Sequence, residues 1–384
     1  MSHSSSSAPI YLDHNATTPI APEVLDAMLP YLREQFGNPS SDHALGQRAH
    51  IAVERAREQL ATLIGASPHE IIFTSGGTES NNLAILGVAT AVTTNRRRIV
   101  TSQVEHPATA EPCRMLETRG WSVSRVPVTQ EGLIDARMAI DALGSDVALV
   151  TLIRAQNETG ALMPVAAVAE AARAMKILVH TDAAQAVGKI EVNVDELGVD
   201  LLSIAGHKFY APKGVGALYV RSGTPIKPQD FGGGQERGLR PGTENVASIV
   251  GLGAASDLAR SRKGADELRL RALRDEIWRN LQIRILDLVR HTPVDASLPN
   301  TLTVSFPNAL GKDVLARARG VLASTGSACH SGVDTPAETL LAMGVAPQVA
   351  LGAIRLSLGH STTEDQINSA TEILTSAYNA AVAH

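Results

Sequence analysis

The chain has 384 residues, of which 44% are hydrophobic and 19% charged, and its formal net charge is −5 at pH 7. That length exceeds one ordinary hydrophobic core, so two domains are expected, and the composition is that of a globular protein. The negative charge and the 3% of aromatic residues argue against binding to nucleic acid or to an anionic membrane surface.

The chain contains only two cysteines, Cys113 and Cys329. A disulfide framework is therefore not expected, and no Cys/His spacing of the zinc type occurs, so no metal site is predicted. The first nine residues are polar and lack the apolar core of an export signal, and no apolar run is long enough to span a membrane. We expect a protein of the cytoplasm.

Hydrophobic periodicity predicts alternating helices and strands from about residue 45 to residue 260. Apolar strands that alternate with helices are typical of a mostly parallel sheet covered on both faces. In chain order the predicted elements are helix 44–64, strand 70–74, helix 79–88, strand 98–102, helix 108–119, strand 121–126, strand 147–153, helix 165–175, and strands 177–180, 201–205 and 215–220.

The pattern changes after residue 261, where a long, charged, amphipathic segment covers residues 266–288. Two short strands at 301–306 and 353–357 follow, and the chain closes with a helix over 362–381. We therefore predict a large domain over residues 16–260 and a smaller α+β domain formed by residues 1–15 and 261–384.

Two glycines separate strand 70–74 from helix 79–88, in the segment Phe73-Thr-Ser-Gly-Gly-Thr-Glu-Ser-Asn-Asn82. Glycine permits close approach of the backbone, and the free N–H groups at a helix N-terminus attract anions. The segment is therefore a candidate phosphate seat. A plain strand-to-helix loop is the alternative, and a Walker loop is excluded because no GK[ST] follows.

Polar side chains also follow two other predicted strands. His106, in Val104-Glu-His-Pro107, lies where an open α/β sheet binds ligands, and it can stack on a planar ring or transfer protons. Asn157, in Ala155-Gln-Asn-Glu-Thr-Gly160, can offer its amide to a cofactor oxygen. Taken singly, a structural histidine and an ordinary turn remain the alternatives.

Asp182 and Lys208 are the pair on which the prediction of a cofactor depends. Asp182 closes the apolar segment 177–182, and Lys208 comes shortly after the apolar strand 201–205. A lysine and an acid at the ends of buried strands are costly unless they serve a purpose. Pyridoxal phosphate needs such a pair, a lysine for the Schiff base and a carboxylate for the pyridine nitrogen. A buried salt bridge between neighbouring strands is the alternative.

Two further segments contain arginines that suit anions. The loop Gly232-Gly-Gly-Gln-Glu-Arg-Gly-Leu-Arg-Pro-Gly-Thr-Glu-Asn245 is glycine-rich and cationic, and it can reach a phosphate, including one held by a neighbouring subunit. Arg355 stands inside an apolar strand and needs an anionic partner. A substrate carboxylate and an internal Asp or Glu are both open as that partner.

Cys329 lies among small residues, in Ser324-Thr-Gly-Ser-Ala-Cys-His-Ser-Gly332. Small residues give mobility and access, which a thiol needs if it must travel to a substrate, and His330 would favour the thiolate. The alternative is an inert loop cysteine. Cys113, on the helix predicted after His106, is expected to serve packing.

Taken together, these motifs resemble those of the class V, fold-type I pyridoxal-phosphate enzymes of the cysteine desulfurase group. The resemblance implies an α/β transferase fold of type I, in which a large domain with a mostly parallel mixed sheet flanked by helices joins a smaller α+β C-terminal domain. The matching segments extend from residue 11 to about residue 360, in the order of the family; they are Tyr11-Leu-Asp-His-Asn-Ala-Thr-Thr18, Gly37-Asn-Pro-Ser-Ser41, Thr74-Ser-Gly-Gly-Thr-Glu-Ser-Asn-Asn82, Val104-Glu-His106, Asn157-Glu-Thr-Gly160, His180-Thr-Asp-Ala-Ala-Gln185, His207-Lys208, Arg240-Pro-Gly-Thr243 and Gly326-Ser-Ala-Cys329.

The resemblance also implies a role for each matching residue. Lys208 would carry the cofactor, Cys329 would attack the substrate sulfur and become a persulfide, and His106 would stack on the ring and assist proton transfer. Arg355 would hold the substrate carboxylate, with help from Asn15 or Ala16. The remaining cofactor contacts would come from Gly77, Thr78, Asn157, Asp182, Gln185, Ala205, His207 and, across a homodimer interface, Thr243.

The implied reaction removes sulfur from L-cysteine, gives L-alanine and a persulfide on Cys329, and passes the sulfur to an acceptor protein or thiol. Ala205 departs from the family pattern, because a phosphate-binding serine is frequent there, and that contact is expected to shift to backbone groups or to Ser203. Gly206-His-Lys-Phe-Tyr210, Arg240-Pro-Gly-Thr-Glu-Asn245 and Cys329-His-Ser331 look more like selenocysteine lyases. A lyase that releases selenium from L-selenocysteine is therefore the second hypothesis, and a non-catalytic sulfur-relay scaffold is the third.

Overall fold

The computed structural model describes the backbone of residues 8–325, 328–330 and 333–383, and the side chains of residues 8–325 and 335–383. Within these ranges the helices are α1 Pro22–Arg33, α2 Ala44–Ile64, α3 Gly77–Ala91, α4 Pro107–Glu117, α5 Ala136–Asp141, α6 Val165–Ala174, α7 Val194–Leu197, α8 Val246–Arg262, α9 Ala265–Arg284, α10 Gly311–Arg317, α11 Glu338–Ala342, α12 Pro347–Leu351 and α13 Glu364–Val382. The strands are β1 Ile10–Tyr11, β2 Ile71–Thr74, β3 Arg98–Ser102, β4 Ser122–Val126, β5 Val147–Ile153, β6 Leu178–Asp182, β7 Leu201–Ala205, β8 Gly216–Val220, β9 Val289–Arg290, β10 Thr301–Ser305, β11 Val321–Leu322, β12 Ser324–Thr325, β13 Ala328–His330, β14 Val333–Thr335 and β15 Ala353–Ser357.

The largest sheet has seven strands in the order β2-β8-β7-β6-β5-β3-β4. Strands β3 to β7 run parallel to one another, whereas β8 pairs antiparallel with both β2 and β7. Every residue of β5 and of β7 is buried, as expected for apolar strands that are covered on both faces. The prediction of a mostly parallel mixed sheet flanked by helices is therefore confirmed.

Alternate residues of the strands face two different hydrophobic clusters. Ile71 and Phe73 pack with residues of α1, α2, α6 and α8, whereas Ile72 between them packs with residues of α3 and α4. Because side chains alternate along a strand, the two groups of helices lie on opposite faces of the sheet. The carboxyl ends of the parallel strands are thereby left free to form a site at the edge of the sheet.

A second sheet, in the order β9-β10-β15-β12, belongs to the C-terminal part of the chain. Its hydrophobic cluster includes residues of α9, α10 and α13, and also Ile10 and Leu12 from the N-terminal segment. Strand β1 pairs with β11, which ties that N-terminal segment to the C-terminal part. This distribution supports a domain division near residue 260, which stays a prediction because α8 continues across it to Arg262.

Several predicted elements have the observed bounds, namely α2, β3, β5, β7 and β15. The helix predicted from residue 79 begins at Gly77, and the segment predicted to extend to residue 288 ends as helix α9 at Arg284, where Ile285 becomes extended. Gly76 precedes α3 with φ +152°, a backbone conformation that favours glycine. Gly216 of β8 allows this turn to approach, because a Cβ on Gly216 would lie 2.7 Å from the Gly76 Cα. In the part of the chain that the structure describes, no helix is both long and apolar enough to cross a membrane.

Candidate active site

A cavity of about 360 Å³ lies at the carboxyl ends of β3, β5, β6 and β7, beside the N-terminus of α3. This is the edge at which parallel α/β sheets bind ligands. Every predicted site residue whose side chain the structure describes, other than Thr243, lines it. The lining residues are Asn15, Ala16, Gly77, Thr78, Asn81, His106, Ala108, Ile153, Asn157, Asp182, Ala184, Gln185, Ala205, His207, Lys208 and Arg355.

Lys208 ends the short 3-10 turn Gly206–Lys208 that follows β7. Its Nζ donates hydrogen bonds to the backbone carbonyl oxygens of Asn15 and Ala16, at 2.8 and 2.9 Å. Burial, and next the charge of Arg355, lower the pKa of the Lys208 amine to about 8, although Asp182 acts in the opposite direction. The cavity therefore contains an amine that is readily obtained in its neutral, nucleophilic form.

Asp182 ends β6 and is almost fully buried. Its Oδ2 accepts a hydrogen bond of 2.6 Å from Asn81 Nδ2, and its Oδ1 accepts one of 2.9 Å from the Ala184 N–H. Within the described residues Asp182 and Lys208 form no ion pair, so the alternative of a buried salt bridge between them is not observed. Two donors therefore support a carboxylate that stays available for a cationic partner in the cavity.

Asn81 is a site residue that the sequence analysis did not single out. It lies about one helical turn after Gly77 on α3, and its buried Oδ1 has no hydrogen-bond partner within the described part of the chain. Its position within Thr74-Ser-Gly-Gly-Thr-Glu-Ser-Asn-Asn82 was the available signal, because a residue one turn into that helix faces the same edge of the sheet as the glycines.

His106 is the N-cap of α4, and its Nδ1 accepts a hydrogen bond of 3.1 Å from the Ala108 N–H. Burial, and to a smaller extent Lys208, lower the pKa of His106, against the opposing charge of Asp182. A neutral ring that accepts at Nδ1 holds its proton at Nε2. The ring position and tautomer therefore suit a residue that moves a proton inside the cavity.

Glu105 joins two strands directly beside His106. Its Oε1 accepts hydrogen bonds from Ser102 Oγ at 2.5 Å and from the Ile153 N–H at 3.0 Å, which links the ends of β3 and β5. Its Oε2 is buried with no partner in the described ranges, and burial raises the pKa of the carboxyl to about 8. Glu105 therefore sits in its neutral form at pH 7 and fixes the turn that presents His106.

The N-terminus of α3 forms the anion-binding end of the cavity. No side chain caps this helix, so the backbone N–H groups at Gly77 and Thr78 are not used by a cap. A Cβ on Gly77 would lie 3.3 Å from the Ala205 Cβ, so both small residues keep this end open. The expectation that Ser203 supplies a phosphate contact is not supported, because Ser203 is fully buried and its Oγ lies 2.9 Å from His180 Nε2.

Asn15 is the centre of a hydrogen-bond network that the sequence analysis did not predict. Its Nδ2 donates to Thr301 Oγ1 at 2.8 Å and to the backbone carbonyl of Asn157 at 3.2 Å. The backbone carbonyl oxygen of Asn15 accepts a hydrogen bond of 2.9 Å from Gln185 Nε2. Lys189 Nζ donates to Asn15 Oδ1 at 2.8 Å and to Gln185 Oε1. Because a carbonyl and an amine engage opposite ends of the Gln185 amide, its orientation is fixed. Burial lowers the pKa of Lys189 well below its usual range.

Arg355 lies in the middle of β15 and faces the cavity. Its Nη2 donates to Asp13 Oδ1 at 2.8 Å and its Nη1 to the Asn157 carbonyl at 3.0 Å. Of the two partners that the sequence left open, the internal acid is therefore observed. The arginine nevertheless lines the cavity, so its second role as a carboxylate-binding group stays a prediction.

The other two predicted site residues belong to the glycine-rich loop and to β13. Thr243 is exposed, in the segment between the 3-10 turn Gln235–Gly238 and α8. Cys329 lies in β13, where its backbone pairs with Asp334 of β14, and its side chain is outside the described residues. The other cysteine, Cys113, is fully buried on α4, and burial raises the pKa of its thiol to about 12, so its packing role is confirmed.

A buried ion pair anchors the glycine-rich loop, which the sequence analysis also missed. Glu236 accepts two hydrogen bonds from Arg57, at 2.7 and 2.8 Å, and a third of 2.7 Å from the Phe73 N–H. Glu236 and Arg237 both have positive φ, at 44° and 56°, a conformation that costs energy for residues other than glycine. The ion pair therefore holds the loop in a strained shape against the start of the seven-stranded sheet.

This chain is similar to known proteins over nearly its whole length. The model of the family described as Aminotransferase class-V matches residues 10–369. A cysteine desulfurase IscS from Dictyoglomus turgidum is 48% identical over 95% of this chain and 93% of its own length. A NifS-like protein of known structure superposes with a TM-score of 0.90, at 38% identity over 96% of this chain and 98% of that one. The structure described as SspA in complex with cysteine has a TM-score of 0.82, at 36% identity over 91% and 98%.

Proposed function

The chain belongs to the class-V aminotransferase family and, within it, to the cysteine desulfurases, and from this premise we propose that it removes sulfur from L-cysteine. The products are L-alanine and a persulfide on Cys329, from which the sulfur passes to a protein or thiol acceptor. The observation that carries the proposal is the cavity itself, in which an amine, a carboxylate, a helix N-terminus and an arginine converge. The amine, the helix N-terminus and the carboxylate suit the aldehyde, the phosphate and the ring nitrogen of pyridoxal 5′-phosphate, the cofactor of this enzyme. The arginine suits the carboxylate of an amino acid bound beside it.

The residues of the cavity fit that cofactor. The uncapped N-terminus of α3 offers N–H groups to a phosphate at Gly77 and Thr78, and Asp182 offers a carboxylate to a protonated ring nitrogen. Lys208 supplies the amine that binds the aldehyde. When bound, the cofactor supplies an electron sink that lowers the cost of removing the α-proton of an amino acid.

Lys208 and His106, two of the titratable residues that line the cavity, are the groups that would transfer protons. Lys208, with a pKa of about 8, can accept a proton from the substrate and return it near neutral pH. His106 holds a proton at Nε2, because the Ala108 N–H occupies its Nδ1. Burial favours the neutral form of Glu105 beside it, so this carboxyl adds no second negative charge next to Asp182.

Sulfur transfer requires the thiolate of Cys329. In the proposed step this thiolate attacks the substrate sulfur, an S–S bond forms, and the C–S bond breaks with its electron pair retained on the carbon side. Protonation of that carbon then gives L-alanine. Cys113 cannot take this part, because a buried thiol with a pKa of about 12 is neutral and inaccessible.

A homodimer completes the proposed site. Thr243 is exposed and does not line the cavity of its own chain. Phe231, directly before the same loop, is also exposed, at 89%. An exposed aromatic next to a loop held in one shape by the Arg57–Glu236 pair supports contact with a second copy.

The small number of cysteines supports the reducing cytoplasm as the place of action.

The second hypothesis is a lyase for L-selenocysteine, which the strings Gly206-His-Lys-Phe-Tyr210 and Cys329-His-Ser331 favour. A selenol is a better leaving group than a thiol, so such a lyase depends less on Cys329. The third hypothesis, a scaffold without catalysis, is disfavoured by the intact set of Lys208, Asp182 and His106 in one cavity.

Release of alanine from L-cysteine and from L-selenocysteine tests the proposal. Wild type should release alanine from L-cysteine, Cys329→Ala should lose that activity, and Cys113→Ser should retain it as the matched control. Lys208→Ala should lose all activity and the yellow colour of the cofactor bound covalently to the lysine. Activity of the wild type on L-selenocysteine alone would overturn the first hypothesis in favour of the second, and turnover by Lys208→Ala would refute the mechanism.

A further inference from the structure

The carboxylate of Asp13 forms an ion pair with Arg355, the arginine that faces the cavity. Arg355 Nη2 donates to Asp13 Oδ1 at 2.8 Å, and the two side chains are 11% and 20% exposed respectively. Ser324 Oγ donates to the same Asp13 oxygen at 2.8 Å. Ser324 is also the direct cross-strand partner of Arg355, so the three side chains form one closed group.

The guanidinium of Arg355 has few donors left for a ligand. Nη1 donates to the Asn157 carbonyl, and Nε is buried, closed to solvent and without a partner among the residues that the structure describes. The contact of Nη2 with Ser324 Oγ, at 3.3 Å, is the longest in the group. A ligand carboxylate therefore meets the Nη1 and Nη2 end of an arginine whose charge Asp13 already offsets.

We propose that Asp13 is a positioning residue that orients Arg355 and, as an internal carboxylate, weakens its hold on the carboxylate of the substrate and product. The inference rests on the proposed function, because it needs an amino-acid carboxylate at Arg355. While no amino acid is bound, Asp13 spares the protein the cost of a buried, unpaired cation. When L-alanine has formed, the same charge repels the carboxylate of the product and favours its release.

The carboxylate of Asp13 is not needed to anchor the N-terminal segment, because backbone hydrogen bonds already hold that segment in place. The Leu12 N–H donates to the Leu322 carbonyl at 2.8 Å, and the His14 N–H donates to the Ser357 carbonyl at 3.1 Å. Asp13 itself forms a backbone bridge with Ser357. Its carboxylate is therefore available for a role at Arg355.

The test compares two ligands that differ only in the carboxylate, L-alanine and ethylamine. Their dissociation constants are measured from the absorbance of the bound cofactor in the holoenzyme of wild type and Asp13→Asn. Asn keeps the Oδ1 acceptor for Arg355 and Ser324 and removes the charge. Asp13→Asn should bind L-alanine about tenfold more tightly than wild type, with ethylamine unchanged within about twofold. Unchanged affinity for L-alanine, or an equal change for both ligands, would overturn the inference.

Two further variants separate charge from shape and from folding. Asp13→Glu keeps the charge and should bind L-alanine as wild type does; tighter binding by this variant would contradict the proposal. Asp13→Ser also lacks the charge and replaces Asp13→Asn if that variant does not fold. Thermal unfolding of Asp13→Asn should begin at a lower temperature than that of wild type and should recover with L-alanine, because the ligand carboxylate then pairs with Arg355. Failure of the proposed function appears separately, as absence of alanine release from L-cysteine by wild type.

Discussion

Lys208 should capture pyridoxal phosphate at neutral pH much faster than an ordinary lysine does. Burial and the charge of Arg355 lower the pKa of its amine from the usual 10.5 to about 8. At pH 7 the neutral fraction is then roughly one in ten, against roughly one in three thousand for an unperturbed lysine. Since only the neutral amine attacks an aldehyde, the rate of capture at pH 7 should be about 300-fold higher.

The charges around Lys208 predict opposite shifts in two variants. Arg355→Gln removes a positive charge that lowers the pKa of Lys208, so the pH midpoint of capture should move upward. Asp182→Asn removes a negative charge that raises it, so the midpoint should move downward. Stopped-flow absorbance of the cofactor-free protein mixed with pyridoxal phosphate, from pH 6 to pH 10, gives each midpoint.

Two results would refute this account of the lysine. A wild-type rate that keeps rising through pH 10 would mean that Lys208 titrates as an ordinary lysine. A shift of both variants in the same direction would mean that their charges do not act on Lys208. Borohydride reduction followed by peptide mapping controls for capture by Lys189, the other buried lysine in the network, and Lys208→Ala should give no adduct at position 208.

Three further predictions concern stability. Glu236→Gln leaves the buried Arg57 with only the exposed Glu54 as a counter-charge and should lower the free energy of unfolding by about 3–5 kcal/mol, measured with denaturant; the double variant with Arg57→Met should recover part of this, and an additive double variant would contradict the pairing. Glu105 is protonated when folded and ionised when unfolded between pH 4.5 and about 8, so wild type should lose up to about 1.4 kcal/mol per pH unit as pH rises through that window, and Glu105→Gln should flatten this slope. Burial lowers the pKa of His180 to about 3, so stability present above pH 6.5 should fall as pH decreases toward 3, and an equally steep fall in His180→Gln would refute that assignment.

The position of the site residues at the carboxyl ends of the parallel strands could be predicted from the sequence, because the relevant patterns are local. Apolar runs fix where β3, β5, β6 and β7 end, and a parallel sheet brings those ends to one edge. Hence His106, Asn157, Asp182 and Lys208 could be placed in one cavity before any tertiary contact was known. Gly76 and Gly77 at the start of α3 likewise indicated a helix N-terminus directed at an anion.

Partners separated by long stretches of chain could not be predicted. Arg57 and Glu236 are 179 residues apart, and Asp13 and Arg355 are 342 residues apart. A sequence pattern indicates that Arg355 needs an anion but does not choose between a substrate and an internal acid. The burial of Lys189 could not be predicted either. A lysine a few residues past a strand is expected at the surface, and only the fold shows that Asn15 and Gln185 enclose it.

The sequence by itself determined the residues with reactive groups and the edge of the sheet on which they lie, since periodicity and turn residues act over a few positions of the chain. Only the tertiary structure decided the charges and orientations of those groups. Burial lowers the pKa of Lys208, Asn81 and Ala184 hold Asp182, and Asp13 offsets Arg355. Desolvation and pairing depend on distances across the fold, which no local pattern of residues specifies.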